Sequence, residues 1–419
     1  ANTTNYATNL SINFIEHINV GSGQTYTSIQ SAVDGAGNGD VLLLAAETFT
    51  EQNITITNKS LTIIGDSPAT TIIQAHAAAA SATDRVFNIT NDSYAETSFH
   101  TFEKLTIRNG NSVRIGGGLS ALNTTLSIKN CAIESNNANL ANGETPQPHD
   151  GGGGMRLYLS NLILENCTFL DNHHNSPVPQ NNTQYARIGG GAIAFYPNSE
   201  VNYMKIDNCT FSANSSDCNG GAILNSYTTT KDIRITNSTF VGNSAKYGGA
   251  FMNNFPNGSP KIFLRNSLFY GNTASTDGSQ LYSPFEYNWT VNNCLIEDTS
   301  AGLLAGVYTD CIVGEDPLLG TLADNGGFTK TYSIGAGSPA INSGTTTSLL
   351  LDQRGFSIVG TRDIGAYEYG GVERVNPTIT NFNNETKLYF DGSYTITAPT
   401  SNSAGAFTYT SSDLNVATI

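Results

Sequence analysis

The residues best equipped for chemistry in this chain are few and gather in two stretched segments. His149, Asp150, Arg156 and Tyr158 lie in or just after the segment 138–152, and His173, His174, Tyr185 and Arg187 lie in 173–189. Histidine, arginine and tyrosine together can donate hydrogen bonds, stack on a ring face and meet an anionic or polyhydroxylated ligand. Loops longer than about 12 residues are often functional, so these eight residues are the candidate binding face. The pair His173-His174 lacks the ligand spacing of a metal site on a regular element. No catalytic residue and no metal ligand is assigned. Carboxylates such as Asp171, Asp207 and Asp217 are scattered, and no G-x-S-x-G elbow marks a nucleophile. Asp352, Arg354, Arg362 and Asp363 are dense for so charge-poor a chain and read as an ion-paired structural cluster. Whether the chain is an enzyme stays open at this point, and the lack of a complete lyase or hydrolase constellation leans against it.

These residues are positioned by a repeat. LENCTFLDN (164–172), IDNCTFSAN (206–214), ITNSTFVGN (235–243) and LRNSLFYGN (264–272) are one phrase, and GGAIAF, GGAILN and GGAFMN follow the first three. Repetition at this period marks a solenoid. The last intervals between phrases are 29, 29 and 27 residues, which suits one turn of a three-faced β-coil. In I-x-N-C-x-F the Ile, Cys and Phe point inward and Asn turns a corner, because Asn tolerates the left-handed backbone region. Asn130, Asn166, Asn208, Asn237, Asn266 and Asn293 should therefore form a structural ladder of side-chain amides, with Phe169, Phe211, Phe240 and Phe269 stacked inside. Cys131, Cys167, Cys209 and Cys294 share a slot that serine fills at 238 and 267, which reads as a small inward position holding buried thiols. The pairs Cys131–Cys167 and Cys167–Cys209 are also within reach of a disulfide and exclude one another.

The fold class expected is all-β, a parallel β-helix over 1–369. Thr27 and Gln30 make a capping box, and Ile29, Ala32, Val33 and Ala36 share one helical face. A helix at about 27–36 should cap the N-terminal end of the core. Where the phrase decays, about 310–369 should close the other end. Residues 370–376 read as a linker and 377–419 as a partial second β-domain that continues past Ile419.

The chain has a formal net charge of −15 and only 13% charged residues. This disfavours nucleic acid and anionic membranes as partners. No apolar run reaches the roughly 18 residues of a membrane span. The start lacks a charged and apolar leader, which reads as a signal peptide already removed. No cofactor is implied, although the acidic surface could hold Ca²⁺.

The N-C-x-F-x-x-N and GGA[IF] repeats resemble the right-handed parallel β-helix of pectate-lyase-like proteins, above all the repeats of polymorphic outer-membrane proteins. DPLLG, ADNGG, GSPAIN, DQRG and DIGAYEY in 310–369 are similar to the β-helix end of choice-of-anchor bacterial surface proteins. Residues 376–419 resemble the start of the Ig-like repeats of large secreted Bacteroidetes proteins. The resemblance implies an extracellular or cell-surface structural or adhesive module of a larger protein, exported by a type IX-like secretion machinery. Its partners would be glycans or other surface proteins. The alternative is a polysaccharide-binding or polysaccharide-degrading, pectate-lyase-like enzyme. Against the polygalacturonase pattern of N-x-D, D-D and G-H-G, only Asn38-Gly39-Asp40 is present, beside the predicted helix.

Overall fold

The computed structural model describes residues 15–92, 98–140, 144–176, 187–197, 202–227, 231–254, 261–284, 289–299, 307–373, 379–380 and 400–401. The strands among them are short, two to six residues each, because the coil turns at the end of every one. The chain divides into two units, 1–372 and 373–419. Of the second, the described residues are an antiparallel pair, Ile379–Thr380 with Thr400–Ser401, besides Glu373. The expected Ig-like domain otherwise lies outside the described residues.

The first unit is a parallel β-helix. One coil runs Thr124–Lys129, Ala132–Glu134, Asn137–Asn139 and Met155–Tyr158, and the next begins at Asn161–Glu165 directly beside the first strand. Stacked coils give parallel sheets of 11, 10, 6 and 8 described strands. The coil is therefore four-stranded through its middle, not three-faced. The extra strands, such as Asn137–Asn139 and Ser215–Ser216, carry little intrinsic β preference. They are strands because a strand lies above and below them, as Asn137↔His173 and His173↔Ser215 show.

Alternation along each strand places one row inward. Ile107, Ile133, Phe169, Phe211, Phe240, Phe269 and Ile296 are register partners and all are at most 1% exposed. The four phenylalanines stack with centroids 4.9, 4.6 and 4.8 Å apart. Each phrase Asn turns left-handed, with φ between 48° and 55° from Asn130 to Asn293. Their amides join coil to coil at 3.0–3.3 Å from Asn130 to Asn266. A second ladder, not anticipated from the sequence, runs through Asn136, Asn172, Asn214, Asn243 and Asn272 at 2.8–3.0 Å. Its side chains are at most 3% exposed, and each also donates to a carbonyl of a preceding coil, as Asn214 does to Phe169.

The helix is Ile29–Gly35, with Ser28 and not Thr27 as its N-cap. Glu51 accepts from the Ile29 and Gln30 amides at 2.6 and 3.0 Å, so a distant carboxylate supplies the charge that the first turn lacks. Ile29, Ala32 and Val33 belong to the same buried core as Val20, Leu42 and Ile54.

Residues 310–369 differ from the expected end plug. Ile312–Val313 still pair with Leu295–Ile296 in the coil, and the described contacts of the residues after them fold back along its side, over the ten-stranded sheet. Thr168 donates to the Lys330 carbonyl at 2.7 Å, Thr210 to Gln353 at 2.7 Å, and Ala366 N–H to Thr239 at 2.9 Å. Outward threonines leave a row of hydroxyls that only a polar partner satisfies, and this segment supplies it. Arg354 and Asp352 form a buried ion pair at 2.7 Å. Arg362 instead donates to the carbonyls of Leu349 and Leu351, and Asp363 accepts from the amides of Asn342 and Tyr369. The cluster thus ties loops together as much as it pairs charges.

Candidate functional site

The two stretched segments start from neighbouring coils, and their ends are aligned, with Gly151 bridged to Gly189 and Gly189 to Asn219. Close approach explains the glycines here. A Cβ on Gly151 would lie 1.9 Å from the Gly189 carbonyl oxygen. From this edge the loop 144–150 lies against the outer face of the eight-stranded sheet.

Asp150 fixes that loop. Its carboxylate takes both the Nε and Nη2 of Arg114, at 3.2 and 2.8 Å, and the Gln147 amide at 2.7 Å. Burial raises its pKa, while these donors oppose the shift. With its oxygens so engaged, Asp150 is a positioning residue. The Tyr196 hydroxyl donates to the Asp150 carbonyl at 2.6 Å, and Arg156 Nε donates to the His149 carbonyl at 3.2 Å.

His149, at φ 81°, is presented on top. Its ring lies 4.6 Å from Tyr158, 4.8 Å from Tyr227 and 5.2 Å, edge-on, from Tyr196. Arg156 stands 5.0 Å from the Tyr158 ring centre and Arg187 4.8 Å from that of Tyr227. Arg187 also donates to the Tyr227 hydroxyl at 3.0 Å. Burial, then the charges of Arg156 and Arg187, push His149 down to about 4. At neutral pH the imidazole is uncharged, a hydrogen-bonding ring and a poor base. Burial also lowers the pKa of Arg156 and raises that of Tyr196.

The sequence candidates His149, Asp150, Arg156, Tyr158 and Arg187 therefore converge. Tyr185 lies outside the described residues. His173 and His174 do not join them. They form the strand His173–Asn175 of the six-stranded sheet, not part of a loop. His173 meets Ser215, and His174 is wholly buried against Ser216 at 3.2 Å. Burial, then His173, push His174 down to about 3. Tyr196, outward on its strand, is 0% exposed beneath the loop 144–150. Tyr227 is the member that sequence reasoning missed. The platform also continues along the sheet through Leu224, Met252 and Tyr282 to Tyr247, whose ring is 5.1 Å from that of Tyr282.

Two grooves lie elsewhere, beside the fold-back segment. One, of about 420 Å³, is lined by Thr106, Arg108, Glu134, Phe328 and Lys330 among others. The other, of about 260 Å³, is lined by Lys205, Arg234 and Arg265 among others. Three of these cations are matched internally: Arg108 by Gln74 and Glu134, Lys205 by Asp207, and Arg234 by Asp232.

No family model matches this chain, and no curated protein matches it. Among solved structures it is similar to pectate lyase Pel9A, with 16% identity over 84% of this chain and 97% of that one, at a TM-score of 0.38. A pectin methylesterase from Aspergillus niger, in deglycosylated form, is 13% identical over 71% of this chain and 86% of that one, with a TM-score of 0.33. ORF18 of Geobacillus virus E2 is 15% identical over 68% of this chain and 56% of its own, with a TM-score of 0.26. Likenesses this distant carry nothing about activity, and the assignment to a parallel β-helix rests on the strand order and register above.

Proposed function

We propose that this chain is an extracellular or cell-surface adhesive module, a rigid β-helix that presents a glycan-binding face built around His149. The observation that carries the reading is the His149 ring held between Tyr158 and Tyr227 with Arg156 and Arg187 on those rings. Among the described residues neither arginine forms an ion pair with a carboxylate. Tyrosine and histidine faces suit the apolar faces of sugar rings, and their polar edges suit hydroxyls. Two guanidiniums without carboxylate partners favour a glycan that carries an anionic group. The one carboxylate at the centre, Asp150, is committed to the Arg114 latch, so the geometry supports binding without bond cleavage. In this reading helix Ile29–Gly35 closes the N-terminal end of the core. The export route in this reading is of the type IX kind.

The test is a glycan array followed by calorimetry on the hits, with His149→Ala and Tyr158→Ala beside the native chain. Binding to anionic glycans should weaken at least tenfold in each variant, with the thermal transition kept. Undiminished binding in both variants would sink the assignment of the face. Unsaturated or hydrolysed product released from any uronic acid polymer would replace it with the enzyme reading.

A further inference from the structure

The slot after each left-handed Asn forms a column along the coil. Cys167 N–H donates to Cys209 Sγ at 3.4 Å, Cys209 N–H to Ser238 Oγ at 3.2 Å, Ser238 N–H to Ser267 Oγ at 3.2 Å, and Ser267 N–H to Cys294 Sγ at 3.5 Å. The next coil repeats the corner with Asp310, at φ 51°, in place of Asn. Its strands keep register on both sides of the slot, with Asn292↔Thr309 before it and Leu295↔Ile312 after. Asn293 N–H donates to Thr309 O at 3.0 Å and Ile312 N–H to Cys294 O at 2.9 Å. Cys294 and Cys311 are therefore direct neighbours at the same corner of adjacent coils, whose flanking strands are spaced by about 4.8 Å. This lies within the roughly 4.4–6.8 Å separation of Cα atoms that a disulfide spans.

Two features separate this pair from Cys131, Cys167 and Cys209. Those three thiols are fully buried, whereas Cys311 is partly exposed. A side-chain hydrogen bond from Cys294 is the main cause that brings the Cys311 thiol down to about 7. Burial drives Cys131, Cys209 and Cys294 well above the ordinary thiol value. Only the thiolate attacks a disulfide.

We propose that Cys294 and Cys311 are a redox-modifiable pair that closes to a disulfide and staples the coil ending at Val313 to the one before it. The oxidant is a small-molecule disulfide such as oxidised glutathione. The Cys311 thiolate attacks one sulfur, and one glutathione thiolate leaves. Cys294 then attacks Sγ of Cys311 in the mixed disulfide, its proton passing to the departing second glutathione. Two thiols of the protein are oxidised and one glutathione disulfide is reduced to two thiols.

The experiment incubates the native chain with oxidised glutathione, then denatures it, alkylates free thiols and measures intact and peptide masses. Of the six cysteines, two should escape alkylation, linked as Cys294–Cys311, with no glutathione retained. Serine occupies the same slot at 238 and 267, so Cys294→Ser and Cys311→Ser should fold. Cys294→Ser should accumulate glutathione on Cys311, and Cys311→Ser should take up none and form no link. Six alkylated thiols, a stable glutathione adduct on the native chain, or a link between other cysteines would each overturn the proposal.

Discussion

The second asparagine ladder makes a quantitative prediction at Asn214. Its Nδ2 donates to Phe169 O at 3.0 Å and to Asn243 Oδ1 at 2.9 Å. Its Oδ1 accepts from Asn172 N–H at 3.1 Å and from Asn172 Nδ2 at 2.9 Å. The residue is 0% exposed, so water cannot replace these partners. Asn214→Ala removes four bonds, each worth about 1 kcal/mol net, for a loss of about 4 kcal/mol. Asn214→Asp keeps the shape and the acceptor but turns the donor into a second oxygen, facing the Phe169 carbonyl and Asn243 Oδ1. It should be worse than alanine, because a buried carboxylate then meets two acceptors. In the first ladder, Asn208 also needs its left-handed φ of 51°, so Asn208→Gly isolates the lost amide from backbone strain. The single tryptophan, Trp289, is 6% exposed, and its fluorescence reports urea unfolding of the coil. An Asn214→Ala loss below about 1 kcal/mol, or an Asp variant no worse than alanine, would refute the claim that this column holds the coils by hydrogen bonding.

Acid should weaken the fold through His100. It faces the core between Leu61 and Leu126, is 1% exposed, and has both ring nitrogens unpartnered. Burial lowers it from 6.5 to about 4, so between those pH values the unfolded chain binds the proton and the folded chain does not. The share of stability that depends on His100 is thus full above pH 6.5 and falls by about 3 kcal/mol as pH drops to 4. His100→Leu should flatten that part of the pH–stability curve, and parallel curves for the two proteins would exclude His100 as the cause. Gly221→Ala would place a Cβ 2.1 Å from the Gly249 carbonyl oxygen, and should lose about 3 kcal/mol or fail to fold. Gly242→Ala, at φ 66° with nothing within 4 Å, should lose only the backbone strain of about 1–2 kcal/mol. Equal urea midpoints for the two alanine variants would count against coil contact as the reason for the GG runs.

What the sequence made legible follows from how a solenoid repeats. Inward Ile, Cys and Phe recur because each coil presents the same wall to its neighbour, so a misplaced large side chain would be felt above and below. The corner Asn was readable for a local reason, since few residues tolerate positive φ. The second Asn column was equally regular but carried no conformational signature. At Asn172, Asn214 and Asn243 the backbone is not left-handed, and the reason for Asn is its pair of partners on other coils. The strand His173–Asn175 was hidden likewise, because stacking between coils imposes it without help from propensity. That changed the reading of His173 and His174 from loop ligands to wall residues. After Val313 the fold-back segment uses none of the repeat vocabulary, and its dock is a row of outward threonines that looks like ordinary surface. The same logic governs the candidate site. His149, Arg156 and Arg187 stood out because long segments break the period, whereas Tyr227 sits in a coil of regular length. Its signal was positional: Ile193 and Phe195 point inward, which sends Tyr196 outward beside its register partner Tyr158. Tyr227 then follows the short strand Ile223–Asn225 on the next coil. A solenoid places such residues one above another whatever their distance in sequence. Departures from period therefore locate the loop that supplies a ligand-facing residue, and outward residues of the neighbouring coils locate the surface it rests on.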